Sequence, residues 1–279
     1  MNNGDHERAA STCRRLLESS PGDVVTMMSL AISTCNLGDR TAASDMFRSI
    51  LKEDSSRECA VSVISEMLSC GLDRDAMSLC SGLERQFPKE PMLKRLRGNM
   101  EYGQGEYLKA SVTYAEAASL NPHNPVLWHS KGMADEARGD LESAEDAYNR
   151  ALLLDQGEPE YWISKASVQE RSNDRYGAIE SLNRAIELDP RSVYALVRKA
   201  VILQASSRDQ EALFYVRQAA EIAPKDVRIM DMESDLLTRI GRPDDAERVL
   251  IARISSEPSE TATIKLARLR LSGGDRDLS

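Results

Sequence analysis

The residue types best suited to metal binding or covalent chemistry are three histidines, His6, His123 and His129, and five cysteines, Cys13, Cys35, Cys59, Cys70 and Cys80. A metal site needs several such ligands converging, and a nucleophile needs a base within reach. The spacing offers neither, with no H-E-x-x-H, no C-x-x-C, no phosphate-binding glycine loop and no nucleophile elbow. Gly103-Gln-Gly105 precedes no dinucleotide fingerprint. Glu142, Glu145 and Asp146 could serve acid–base chemistry, but their helical spacing puts them on one solvated face. The cysteines, odd in number and confined to the first third, read as small apolar side chains kept as free thiols in a reducing compartment. No catalytic residue, metal or cofactor is expected, and the chain is not read as an enzyme.

Such a chain must act through shape and surface. Its 279 residues carry 36 basic and 45 acidic side chains, a net charge of −9 with no basic run. A nucleic-acid backbone is repelled by that balance, so no nucleic-acid partner is expected. No stretch approaches the roughly 20 apolar residues that span a bilayer. Met1 to Arg8 is polar and lacks an apolar signal core, so the expectation is a cytoplasmic protein away from membranes.

The elements that position these residues recur. Trp128, Trp162 and Leu196 are spaced by 34 residues, and the same offset relates Gly132, Ala166 and Ala200, then Ala144, Ala178 and Ala212, then Ala151, Ala185 and Ala219. Between Pro125 and Glu158, two runs of helical length are separated by Gly139 and Asp140. The second run places Leu141, Ala144, Ala147, Tyr148, Ala151 and Leu154 on one stripe, with acidic and amide residues between them. Gly132, Ala144 and Ala151 allow two helix backbones to cross closely, while Trp128 and Tyr148 fill the wider space between neighbouring pairs. One helix pair cannot bury both its faces, so copies must stack on either side.

Trp-x-x-Lys-Gly followed by Ala-x-x-x-Tyr at this period resembles the tetratricopeptide repeat (TPR) family. The resemblance covers nearly the whole chain and implies an all-α, right-handed superhelical solenoid of antiparallel helix pairs. Projected along the chain, it gives a single solenoid over 1–279: a partial repeat at 1–23, then repeats 24–56, 57–90, 91–124, 125–158, 159–192, 193–226 and 227–260. A capping helix at 261–272, ended by Gly273 and Gly274, and a polar tail at 273–279 complete it. In the partial repeat Gly4 and Asp5 take the turn positions ahead of a helix over roughly residues 7–19. Repeat 57–90 departs furthest, since Ile64 and Leu83 stand where small residues are expected and Cys80 replaces the aromatic; its helices must cross differently or pack loosely. Arg253 replaces an alanine. Lys131 and Lys165 replace leucine, with stems along the groove and ammonium groups in water.

In this family the first helices line a concave groove that holds an extended peptide or a partner helix. The resemblance therefore implies a wall that includes Arg95, Asn99 and Tyr102, then His129 and Met133, then Tyr194 and Arg198, with Met28, Ile32 and Val61 towards the N-terminus. A subclass that grips a C-terminal carboxylate is disfavoured, because Ser130, Glu160 and Ser164 stand where its amide and cations belong. The expected function is a non-catalytic interaction module or scaffold for a protein partner; the alternative is the regulatory, substrate-positioning TPR region of a larger enzyme. The mid-repeat start suggests a fragment, and the apolar positions of 7–19 would then be covered by an upstream segment or by a second copy in a homodimer. Partner identity and pathway are not encoded in any motif.

Overall fold

A computed structural model describes residues 3–274 of the chain. Those residues form sixteen α-helices and short turns, with no strand among the described residues. The chain divides into two compact units, Met1–Leu154 and Asp155–Ser279. The first holds α1 (Asn3–Ser19), α2 (Val24–Asn36), α3 (Arg40–Glu53), α4 (Arg57–Ser69), α5 (Asp73–Gln86), α6 (Pro91–Gly103), α7 (Tyr107–Leu120), α8 (Pro125–Ala137) and α9 (Leu141–Leu154). The second holds α10 (Pro159–Arg171), α11 (Arg175–Leu188), α12 (Val193–Ala205), α13 (Asp209–Ile222), α14 (Val227–Arg239), α15 (Pro243–Ser256) and α16 (Glu260–Gly274). Within each unit every helix packs on its neighbour in sequence, which makes each a stack of antiparallel pairs.

Local chemistry sets the helix ends. Asp23, Asp39, Ser56, Asp174 and Ser192 each accept a hydrogen bond from the backbone N–H three residues on, satisfying a donor that the helix itself cannot. Pro91, Pro125, Pro159 and Pro243 open helices where a missing N–H costs nothing. First helices end in a left-handed residue: Gly38, Gly71, Gly105, Gly139, Asn173, Ser207 and Gly241. The next N–H reaches back five residues to close the turn, as from Asp140 to the Asp135 carbonyl at 2.9 Å and from Arg208 to that of Leu203 at 2.9 Å. The ends of the chain differ from expectation. Gly4 and Asp5 lie inside α1, with Asp5 in the first turn where its charge meets the helix dipole. Gly273 and Gly274 belong to the last turn of α16, and residues 275–279 of the expected tail lie outside the described residues.

The core repeats one contact. Phe47, Cys80, Tyr114, Tyr148, Leu182, Val216 and Leu250, one from each of α3, α5, α7, α9, α11, α13 and α15, are all buried, each four residues after a fully buried alanine. Opposite Tyr114 and Tyr148 stand Gly98 and Gly132, where an added Cβ would lie 2.6 Å and 2.5 Å from the ring. These glycines thus make room for a ring laid on the helix, a more specific demand than close backbones. In α4 and α5 the two sizes are exchanged. Ile64 and Cys80 are both fully buried, and α4 and α5 run close together over less of their length than α6–α7 or α8–α9. A different crossing or looser packing is expected for this pair; at Ile64 and Cys80 the side chains are fully buried all the same.

Three polar or aromatic positions also depart from expectation. Arg253, in an alanine's place, is buried with Nη1 donating to the Glu257 carbonyl at 2.7 Å and Nε to Asp231 at 3.3 Å. The Lys131 ammonium, on a partly exposed side chain, pairs with fully buried Asp135, which also accepts from Ser111 at 2.6 Å and Arg138 at 2.9 Å. Trp128 is only half-buried: its indole N–H donates to the Pro122 carbonyl at 2.9 Å and the Arg150 guanidinium lies 4.5 Å above the ring. Trp162 repeats that bond to Gln156 at 3.0 Å, so both indoles clip the preceding turn.

Candidate functional site

In the first unit, α6 sets Arg95, Asn99 and Tyr102 along one helix face, and α8 sets His129, Met133 and Glu136 at the matching positions. Asn99 and Met133 are exposed, Arg95 and Tyr102 half-buried, and His129 only 9% exposed. The second helices hold these side chains from behind. Tyr114 donates its hydroxyl to Asn99 Oδ1 at 2.8 Å, and Tyr148 donates to Glu136 at 2.9 Å. Because the amide oxygen of Asn99 takes the phenol, its NH2 group is turned to donate outward. Tyr102 packs edge-on against Tyr107, ring centroids 5.2 Å apart and planes 61° apart, and covers Ala110, Tyr114 and Ala134.

Electrostatics separate these residues into two kinds. His129 lies 5.4 Å from the Tyr148 ring, and burial pulls its pKa down to about 4, so it is a neutral ring at neutral pH. It supports the wall more than it faces out of it. Burial likewise pushes the Tyr114 phenol well above the usual range, opposed by the nearby Arg95 charge. Arg95 itself makes no hydrogen bond or ion pair among the described residues, and its Nε is buried without an acceptor. Its neighbours on α6 are both compensated: Lys94 pairs with Glu116 at 2.5 Å, and Arg97 pairs with Glu84 at 2.9 Å and Glu101 at 3.0 Å.

In the second unit Tyr194 is 56% exposed in the first turn of α12. Arg198, one turn later, pairs with Glu170 of α10. Its charge is already answered. Buried Lys199 donates to Tyr215 Oη at 2.6 Å and to Asn183, with its ammonium 3.8 Å from the centroid of the Tyr215 ring. Sequence reasoning did not single out this group, or the Asp135 and Glu101 networks, because a lone charged residue at helical spacing looks the same whether it faces water or a neighbour.

No group of three or more His, Cys, Asp and Glu converges to hold a metal among the described residues. The five cysteines are free thiols, and burial pushes Cys70 and Cys80 up to about 12, which keeps them protonated and unreactive. No described helix is long and apolar enough to cross a membrane.

Family models described as "Tetratricopeptide repeat" match residues 101–168 and 163–227. No curated protein matches the chain. Among solved structures, the yeast Tom70 structure is 16% identical with a TM-score of 0.61, over 97% of this chain and 60% of that one. A tetratricopeptide repeat protein from Parabacteroides merdae ATCC 43184 is 12% identical with a TM-score of 0.59, over 89% and 98%. YrrB, described as a TPR protein with an unusual peptide-binding site, is 15% identical with a TM-score of 0.57, over 68% and 97%. At these identities the likeness is one of fold. Sequence models and fold agree with the turns and helix pairs described above: residues 101–227 are tetratricopeptide repeats, in a chain with the fold of a multi-repeat TPR protein.

Proposed function

We propose that this protein is a non-catalytic scaffold that holds an extended peptide or a partner helix against its first helices. The repeat architecture supports a protein-interaction role in general. The observation that carries the finer reading is the outward row on α6 and α8, where Arg95, Asn99, Tyr102 and Met133 combine a cation, an amide donor, an aromatic ring and a flexible thioether beside neutral His129. YrrB's described peptide-binding site lends the same reading a precedent on this fold. In the second unit, exposed Tyr194 and paired Arg198 supply a further contact strip. Free thiols with raised pKa values fit a reducing compartment, and we place the protein in the cytoplasm.

The test is affinity capture with the full chain, bound proteins identified by mass spectrometry and then measured one by one. Tyr102→Ala, Met133→Ala and Tyr194→Ala should each weaken a direct partner, while Glu142→Ala on the outward face of α9 should not. A partner whose affinity ignores all three groove substitutions would place binding elsewhere and sink the reading.

A further inference from the structure

Each second helix from α3 to α15 has outward places at its second and sixth residues, and most of these are polar, as with Thr41 and Asp45 on α3 or Asp244 and Arg248 on α15. On α7 they are Leu108 and Val112, 63% and 54% exposed, and no other helix of this set carries apolar residues at both. The second helices on either side of α7 present opposite charges. From α5 come Arg74 and, near its end, Arg85; from α9 come Glu142 and Asp146. All four are exposed, and none makes an ion pair among the described residues. Near the end of α9 stands Leu153, at 81% the most exposed large apolar side chain of the described residues. An apolar ridge rimmed by unpaired charge is the surface of an interaction site.

We propose that this face receives a second copy of the chain, in a two-fold homodimer whose axis runs along α7. Basic, apolar and acidic stripes in that order are self-complementary about such an axis. It exchanges the two flanks without reversing helix direction, so α7 meets α7 and α5 meets α9 of the second copy. Arg74 and Glu142 hold the same place in their helices and therefore pair, once on each side of the axis. Leu108 and Val112 meet their own counterparts. Arg85 and Leu153 are also in register, so the aliphatic stem of the arginine covers the leucine. An axis laid across α7 would instead set Glu142 and Asp146 against their own copies, and like charges reject it. The contact uses second helices alone, which leaves the first-helix wall with Tyr102 and Met133 open.

Sedimentation of the full chain from about 5 to about 300 µM should show a monomer–dimer equilibrium, since three helices a side make a contact at the small end of stable interfaces. Leu108→Glu replaces an exposed side chain; it should weaken dimerisation at least about tenfold and leave the helical signal and melting of the dilute protein unchanged. Arg74→Glu and Glu142→Arg should each sediment as monomers, because each variant alone brings like charges together. Mixed in equal amounts, the two should form a heterodimer as tight as the wild-type dimer, since both of its charge contacts are then opposite in sign. A monomer throughout the concentration range would overturn the inference. So would a dimer indifferent to Leu108→Glu, which would lie on another face, or charge variants that fail to rescue each other, which would mean another axis.

Discussion

In α8–α9 the Tyr148 ring lies on Gly132, whereas the matching positions of α4–α5 hold Ile64 and Cys80, both in one buried cluster. Both arrangements leave the large side chain fully buried. What differs is which helix carries the bulk and over how much of their length the two helices run close together. A ring laid on a glycine locks a close pair at one specific geometry. A branched aliphatic and a thiol fill the same two positions without that ring-on-glycine fit. The frame of the repeat tolerates either filling, because the demand on the two positions is for a combined volume rather than for a named residue in each.

The largest test of this difference removes the bulk from the second helix. Tyr148→Ala should cost about 3–5 kcal/mol, since a fully buried ring leaves a cavity between helices that cannot close. Cys80→Ala should cost only about 1 kcal/mol, because a single small atom is lost. Denaturant titration of the full chain measures both. Equal costs would show that the second helix carries the same share of packing in each pair.

Acid should act on one pair and spare the other. His129, beside Tyr148, has its pKa pulled to about 4 by burial, from an ordinary 6.5, with Glu136 opposing the shift. The unfolded chain therefore takes a proton first. The stability contribution is complete above about pH 6.5 and is lost as pH falls toward about 4, to a total of up to about 3 kcal/mol. Val61 holds the matching position in α4 and does not titrate. Unfolding midpoints at about pH 7 and about pH 4.5 should differ less in His129→Gln than in wild type. An identical acid response in the two proteins would show that the imidazole titrates normally.

The 34-residue offset made the helices, their order and their turns legible, because turn glycines and interface alanines report on backbone geometry one position at a time. It could not reveal the Ile64–Cys80 exchange as compensation. Aligned singly, each residue looks like a misfit, and only their placement in one buried cluster shows the sizes traded. The candidate surface was legible to a similar depth. Arg95, Asn99 and Tyr102 follow from counting along a first helix, but the pairing of Arg198, the burial of His129 and the isolation of Arg95 depend on side chains from other helices. Asp135, fully buried and triply bonded, left no sequence signal at all.

A swap tests whether volume is the shared quantity. Ile64→Gly should open a cavity in α4–α5, and Cys80→Tyr should overpack it, each costing about 2–4 kcal/mol. Together they recreate the glycine and ring of α8–α9. The double variant should then be more stable than the sum of the single losses predicts, by about 1–3 kcal/mol. Strict additivity would mean that the different approach of α4 and α5 is imposed by something other than these two residues.

The smallest effect serves as the control on the whole comparison. Gly71 and Gly139 end α4 and α8 in the left-handed region, with φ of +69° and +87°. At Gly139 an added Cβ meets nothing within 4 Å, and at Gly71 it meets only the flexible end of Arg40 at 3.6 Å. An alanine at either position therefore pays the backbone strain of a left-handed L-residue without a steric clash, about 1–2 kcal/mol. Because the strain belongs to the turn and not to the helix contact, Gly71→Ala and Gly139→Ala should lower stability by the same amount. If they differ by more than about 0.5 kcal/mol, a scatter usual for independent sites, the two pairs are distinct in their turns as well. The contrast between ring-on-glycine and aliphatic-and-thiol packing would then be one symptom of a broader divergence in the first unit. If they agree, the divergence is confined to the positions of Ile64 and Cys80, and the turn is the part of the repeat that neither pair can vary.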